Sequence, residues 1–185
     1  MFKRLLAGSL LLGTSLFAGT INIAVAANVS YAIEDLKKEF SKLYPETKVK
    51  VTLGSSGKLT AQIKNGAPYG LFMSANMRYP NALYADGAAV TKPIIYAQGS
   101  LAVLSSKKQE FSKGMELLKE NKIDKIAVAN PKTAPYGKAA VEAMRSAGVY
   151  KDVKGKYVFA ESISQTVAYT VTATDIGFIA KLSLV

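Results

Sequence analysis

Val49-Lys50-Val51-Thr52-Leu53-Gly54-Ser55-Ser56-Gly57-Lys58-Leu59-Thr60-Ala61-Gln62-Ile63-Lys64 reads as a strand, a Gly/Ser turn and a helix that stops at Asn65-Gly66. The β-branched residues at 49, 51 and 52 favour extended chain, and Leu59 and Ile63 stand four apart, the spacing that puts two side chains on one helix face. Working outward, the same unit recurs. Ile21–Ala27 leads through Asn28-Val29-Ser30 into Tyr31–Leu43, whose Ile33, Leu36, Phe40 and Leu43 form one apolar stripe. Ile123–Ala129 leads through Asn130–Tyr136 into Gly137–Ser146, and Tyr157–Ala160 meets Glu161-Ser162-Ile163-Ser164. Further strands are expected at Leu71–Ala75, Ile94–Ser105 and Ile176–Ala180, and helices at Asn81–Ala85 and Met115–Glu120. Ser164–Thr174 stays open: its threonines and valines favour a strand, its place in the alternation a helix. Strand-helix alternation predicts an α/β fold with sheets flanked by helices.

Composition narrows the chemistry. The chain has 185 residues, 49% of them hydrophobic and 20% charged, enough apolar content for a packed core. It has no His and no Cys, which removes His-based triads, thiol nucleophiles, disulfides and Cys/His metal clusters together. What remains is Ser/Lys chemistry, carboxylates, or binding without chemistry. The net charge of +11 favours an anionic partner without naming one. Only Arg4, Arg78 and Arg145 are arginines, and no basic stretch is interleaved with aromatics, so the pattern argues against nucleic acid.

The first residues carry Lys3 and Arg4, an apolar run from Leu5 to Phe17, then Ala18 and Gly19. This is the pattern of a secretory signal peptide over residues 1–18, too short to span a bilayer comfortably. Ala24-Val25-Ala26 is a competing cleavage site, but cutting there removes the first strand. Losing Lys3 and Arg4 leaves +9. A lipid-tethered exported protein needs a Cys at its new N-terminus, so the expectation is a protein free in the periplasm of a Gram-negative cell.

At each strand-to-helix junction, unpaired backbone N–H groups and the positive end of the helix dipole suit an anion. Ser, Asn and Gly before a helix are also ordinary caps, and for any one junction capping is the commoner explanation. Gly54–Lys58 fails as a phosphate-binding P-loop, because Thr52 replaces the first glycine and Leu59 follows the lysine. Ser55 and Lys58 have Ser-x-x-Lys spacing, yet the Ser-Asp-Asn and Lys-Thr-Gly partners are absent, so an exported Ser/Lys hydrolase is only a rival reading.

As a set, the junctions say more. Ala26-Ala27-Asn28-Val29-Ser30-Tyr31-Ala32, Gly54-Ser55-Ser56-Gly57-Lys58-Leu59 with Gln62-Ile63 and Gly66-Ala67-Pro68, Leu71-Phe72-Met73-Ser74-Ala75, Ala129-Asn130-Pro131 with Pro135-Tyr136-Gly137, Ala160-Glu161-Ser162-Ile163 and Gly177-Phe178-Ile179 follow one another along nearly all of the mature chain. In this the chain resembles the periplasmic molybdate-binding proteins, the substrate-binding components of ABC importers for molybdate and tungstate. The resemblance implies a two-lobe periplasmic-binding-protein fold of type II, with mixed sheets and the ligand held between lobes. It implies no catalytic residue, no cofactor and no direct cation ligand, with molybdenum held as the oxyanion. Expected partners are the small anion and the membrane permease of an importer, with the binding protein itself a monomer.

Carried over residue by residue, Asn28 offers a backbone N–H and a side-chain amide, Ser56 an N–H and a hydroxyl, Tyr136 and Ile163 a backbone N–H each, and Ala27 at most an N–H. The ring of Tyr136 reads equally as a surface aromatic. A dianion without protons needs donors only, and no acidic residue is among these positions, which ranks phosphate below molybdate, tungstate and sulfate. The sequence departs from the family pattern at Ala180, where some members have tyrosine, at Asn28, where others have serine, and at Gly70, commonly Asp. The resemblance also puts lobe I at 19–96 and lobe II at 97–185, with the segment that returns to complete lobe I absent and apolar surface of that lobe left exposed.

Overall fold

The computed structural model describes residues 19–184. The signal-peptide segment lies outside the described residues.

Among the described residues, seven strands form two separate sheets, divided in sequence by the segment 74–100. The first sheet contains β1 (Thr20–Ala26), β2 (Lys48–Gly54) and β3 (Leu71–Met73) in the order β2-β1-β3, all parallel. Side chains on a strand alternate between faces, so Ile23 and Val25 share one face with Val51, Leu71 and Met73 across the ladder. That face carries a core of Ile23, Val25, Val29 and Ile33, the last from helix α1 (Ile33–Leu43). Helices α2 (Ser56–Lys64) and α3 (Arg78–Ala85) complete this unit, burying Leu59 and Leu83.

The second sheet holds β4 (Leu101–Leu104), β5 (Ile126–Ala129), β6 (Tyr157–Ala160) and β7 (Ile176–Ala180) in the order β4-β7-β5-β6. β5 is parallel to both β6 and β7, whereas β4 runs antiparallel to β7, so the sheet is mixed. β5 and β7 are buried along their whole length, as expected of strands covered on both faces. Helix α4 (Pro135–Ser146) contributes Ala140, Val141 and Met144 to a core with Ile126, Val128, Ile176 and Phe178. Each large apolar side chain so buried stabilises the fold by roughly 1.5–3 kcal/mol.

The open segment 164–174 is helix: α5 spans Ile163–Thr172. Its threonines satisfy their hydroxyls within the helix, Thr166 Oγ1 donating to the Ser162 carbonyl at 3.0 Å and Thr170 Oγ1 to the Thr166 carbonyl at 2.7 Å. Such back-bonding lets a β-branched hydroxyl residue be buried in a helix, which strand propensity alone misreads. Thr170 also explains Gly177, since a Cβ there would lie 1.8 Å from Thr170 Oγ1.

Two expectations need correcting. The strand anticipated from Ile94 is confined to Leu101–Leu104, because residues 94–100 pair with no strand and leave Ile94 and Ile95 exposed. Met115–Lys119 belongs to a 3-10 segment, Phe111–Lys119, that Glu120 follows, and the segment is interrupted at Gly114, whose φ of 56° is a left-handed conformation that glycine adopts without strain.

Candidate functional site

The two sheet units meet through small side chains. Ala27 and Ala75 from the first pack with Ala129, Ala134, Tyr136, Ile163 and Ala180 from the second, which lets the carboxyl ends of the central strands come close. Ala180, which stands where some members of the resembled family have tyrosine, is fully buried in this cluster.

Over the cluster lies one narrow cavity, lined by Ala26, Ala27, Asn28, Ser55, Ser56 and Ala75 from one side and by Ala134, Pro135, Tyr136 and Ile163 from the other. All five residues singled out from the sequence are here, although they are spread over more than 130 positions. Three helices direct their N-termini at it: α2 begins at Ser56, α4 at Pro135 and α5 at Ile163. Asn28 stands in the 3-10 turn Ala27–Val29 that follows β1. No Lys, Arg, Asp or Glu is among its lining residues; the polar groups there are amides and hydroxyls, and little of their surface opens into the cavity as it stands. As it stands the cavity has room for about one water, so a tetrahedral oxyanion enters only when its two sides draw apart.

The junction serines divide by role. Ser162 acts as a cap, its Oγ accepting from Gln165 N at 3.3 Å. Ser56 does not: its Oγ accepts from the backbone N–H of Ala75 at 3.0 Å, which leaves the hydroxyl proton free to donate elsewhere. The Tyr136 ring is not a surface aromatic. The residue is only 9% exposed, and its hydroxyl abuts the chain at Gly99, where a Cβ would sit 2.0 Å away. Burial pushes the Tyr136 phenol up from its ordinary value, the Asn28 side chain pulling weakly the other way, so the group is neutral at physiological pH.

Contacts across the cleft rim were not anticipated from sequence. Gly57 N donates to the Thr133 carbonyl at 2.8 Å, Tyr79 Oη donates to the same oxygen at 3.3 Å, and Lys58 Nζ pairs with Glu161 at 2.7 Å. They join α2 and α3 to the loops before α4 and α5. Ser55, Ala26, Ala75, Ala134 and Pro135 are lining residues that the reading also left out. Ser55 alone carried a signal, as the first serine of the Gly-Ser-Ser-Gly turn.

Residues 21–184 match the family described as bacterial extracellular solute-binding protein. The chain belongs to that family. It is 34% identical over 175 residues to the molybdate-binding protein ModA of Azotobacter vinelandii, covering 94% of this chain and 69% of the relative. It is 34% identical over 165 residues to ModA of Rhodobacter capsulatus, covering 88% of this chain and 65% of that protein. The fold superimposes on the Azotobacter vinelandii periplasmic molybdate-binding protein with a TM-score of 0.78 at 32% identity, over 86% of this chain and 71% of that one. The solute-binding fold expected from the sequence is therefore present, with two mixed or parallel sheets flanked by helices. Among the described residues of this solute-binding protein there is no cluster of three His, Cys, Asp or Glu, and no helix long and apolar enough to cross a membrane.

Proposed function

We propose that this chain captures molybdate or tungstate between two lobes, residues 19–96 and 97–185, and delivers it to the membrane permease of an ABC importer. The observation that carries the reading is a cavity at which both sheet units present helix N-termini and neutral donors, in a chain 34% identical to proteins named for binding molybdate. Asn28 and Ser56 would donate from side chain and backbone, Tyr136 and Ile163 from backbone, and Ala27 at most from its N–H. First-turn N–H groups have no intrahelical acceptor, so an anion there satisfies donors that the fold leaves open. Asn28 Oδ1 is buried without a partner, and turning the amide over presents Nδ2 to the anion instead. With no carboxylate at the cavity, a fully deprotonated tetrahedral dianion is favoured over protonated phosphate.

The mature protein works, on this reading, as a monomer free in the periplasm of a Gram-negative cell, binds no nucleic acid, uses no cofactor and catalyses no reaction. The Ser/Lys hydrolase rival is weakened by Lys58, whose ammonium is engaged by Glu161. Titration calorimetry of the chain against molybdate, tungstate, sulfate and phosphate tests the proposal. Strong heat with molybdate or tungstate and little with phosphate is expected. Absence of heat with every oxyanion would sink it.

A further inference from the structure

Ser55 is 3% exposed, and its hydroxyl is buried with no hydrogen-bond partner. It occupies the N-cap position of α2, with extended backbone at φ −69° and ψ 147°, where a serine usually turns its oxygen onto the first-turn N–H groups. Here it makes no such bond. Its carbonyl accepts from Leu59 N at 3.0 Å, so the backbone carries the helix start while the hydroxyl is idle. A buried hydroxyl without a partner is destabilising, and a ligand that supplies an acceptor relieves that cost. The other two junction serines differ in this respect: Ser162 spends its oxygen on a cap and Ser56 accepts from Ala75, while Ser55 spends nothing. Ser55 also lines the cavity beside Ser56.

We propose that Ser55 is a further donor to the bound oxyanion, its hydroxyl kept free of the capping bond for that purpose. The inference rests on the oxyanion reading above and deepens it. A tetrahedral dianion offers four oxygens with several lone pairs each, so two adjacent hydroxyls at one helix start can serve it without competing. The resulting hydrogen bond is assisted by the ligand's charge, and it is made only in the complex. Removing the hydroxyl should therefore weaken binding while leaving the unliganded fold as stable as before, or slightly more so.

The test compares wild type, Ser55→Ala and Ser55→Gly in the full chain, by calorimetric titration with molybdate and by thermal melts without ligand. Both variants should melt, unliganded, at or near the wild-type temperature. Both should bind molybdate about tenfold to a hundredfold more weakly, the range for losing a hydrogen bond to a charged group. Wild-type affinity in both variants would overturn the proposal while leaving the oxyanion reading intact. So would a loss confined to Ser55→Ala, since glycine removes the same hydroxyl, or a large drop in both unliganded melts, which would show that the hydroxyl has a structural partner. If the wild type itself takes up no molybdate, tungstate or sulfate, the oxyanion reading fails and this proposal with it.

Discussion

Ser56 and Ser55 are neighbours with opposite expected behaviour. Ser56 Oγ accepts from Ala75 N, so Ser56→Ala removes a ligand donor and also deprives a backbone N–H of its acceptor. The substitution should weaken oxyanion binding by about 1.5–3 kcal/mol and lower unliganded stability by about 1 kcal/mol, the two being separated by calorimetry and a denaturant melt. Far from the cleft, Asp175 is the buried carboxylate with the most to do. It pairs with Lys107 and accepts from Asp124 N and Lys125 N at 2.9 Å each, tying the turn before β5 to the start of β7. The Lys107 ammonium is the largest influence holding its carboxyl below the ordinary value, with the two backbone donors adding to it against an opposing effect of burial. A carboxylate depressed in the fold stabilises above its unfolded pKa of about 3.9, and that stability is lost as pH falls through the lower folded value. Asp175→Asn should therefore cost about 1–3 kcal/mol at pH 7, with the difference from wild type shrinking below about pH 4 in urea melts taken across pH. An unchanged difference at low pH would count against this role. None of these partnerships is visible along the chain: the Gly-Ser-Ser-Gly turn shows hydroxyls at a helix start, and only the fold distinguishes cap, bridge and free donor.

At the level of elements, α2 meets the loop before α4 so closely that Gly57 has no room for a side chain. A Cβ there would lie 2.9 Å from both Cα and O of Thr133. Gly57→Ala should hold α2 away from that loop, widen the cleft and reduce oxyanion affinity by about tenfold, with a larger radius of gyration for the liganded protein in solution scattering. The Lys58–Glu161 pair bridges the same elements but is about half exposed on both sides. Exposed pairs contribute about 0–1 kcal/mol, so Lys58→Ala should change affinity less than about fivefold, and less still at high salt. A collapse of function in that variant would instead favour the Ser/Lys chemistry. Strand and helix positions were mostly readable from local pattern, β6 and β7 to the residue, because buried strands and amphipathic helices have short periods. The misreading at 94–100 and the open reading at α5 arise where local composition and tertiary surroundings disagree. Residues 94–100 have strand-like composition without a strand to pair with, and α5 has strand-like threonines whose hydroxyls are satisfied inside a helix.

For the whole molecule, the two sheet units differ in how well they are covered. The second packs Phe178, Ile126, Ile176, Val128, Met144, Leu117 and Leu118 into one core. Around the first, Leu36 is 49% exposed, Leu43 77%, Leu53 47% and Leu71 50%, and Val90, Ile94 and Ile95 are also exposed. Local stability follows buried apolar contact, so amides of β1 and β2 should exchange with solvent faster than those of β5 and β7, and the protein should bind an apolar dye at neutral pH. Equal protection across both sheets would contradict this.

The sequence by itself determined the alternation of strands and helices, the hydroxyl and amide residues at their junctions and, through motifs spread along the chain, the solute-binding family. These are properties of short segments or of their order. Only the tertiary structure decided that Asn28, Ser56, Tyr136 and Ile163 line one cavity, that Tyr136 is buried against Gly99, and that Ser55 has a free hydroxyl where Ser162 has a cap. Those facts depend on distances between groups remote in sequence, and such distances are set by how the two sheets pack over their shared layer of alanines.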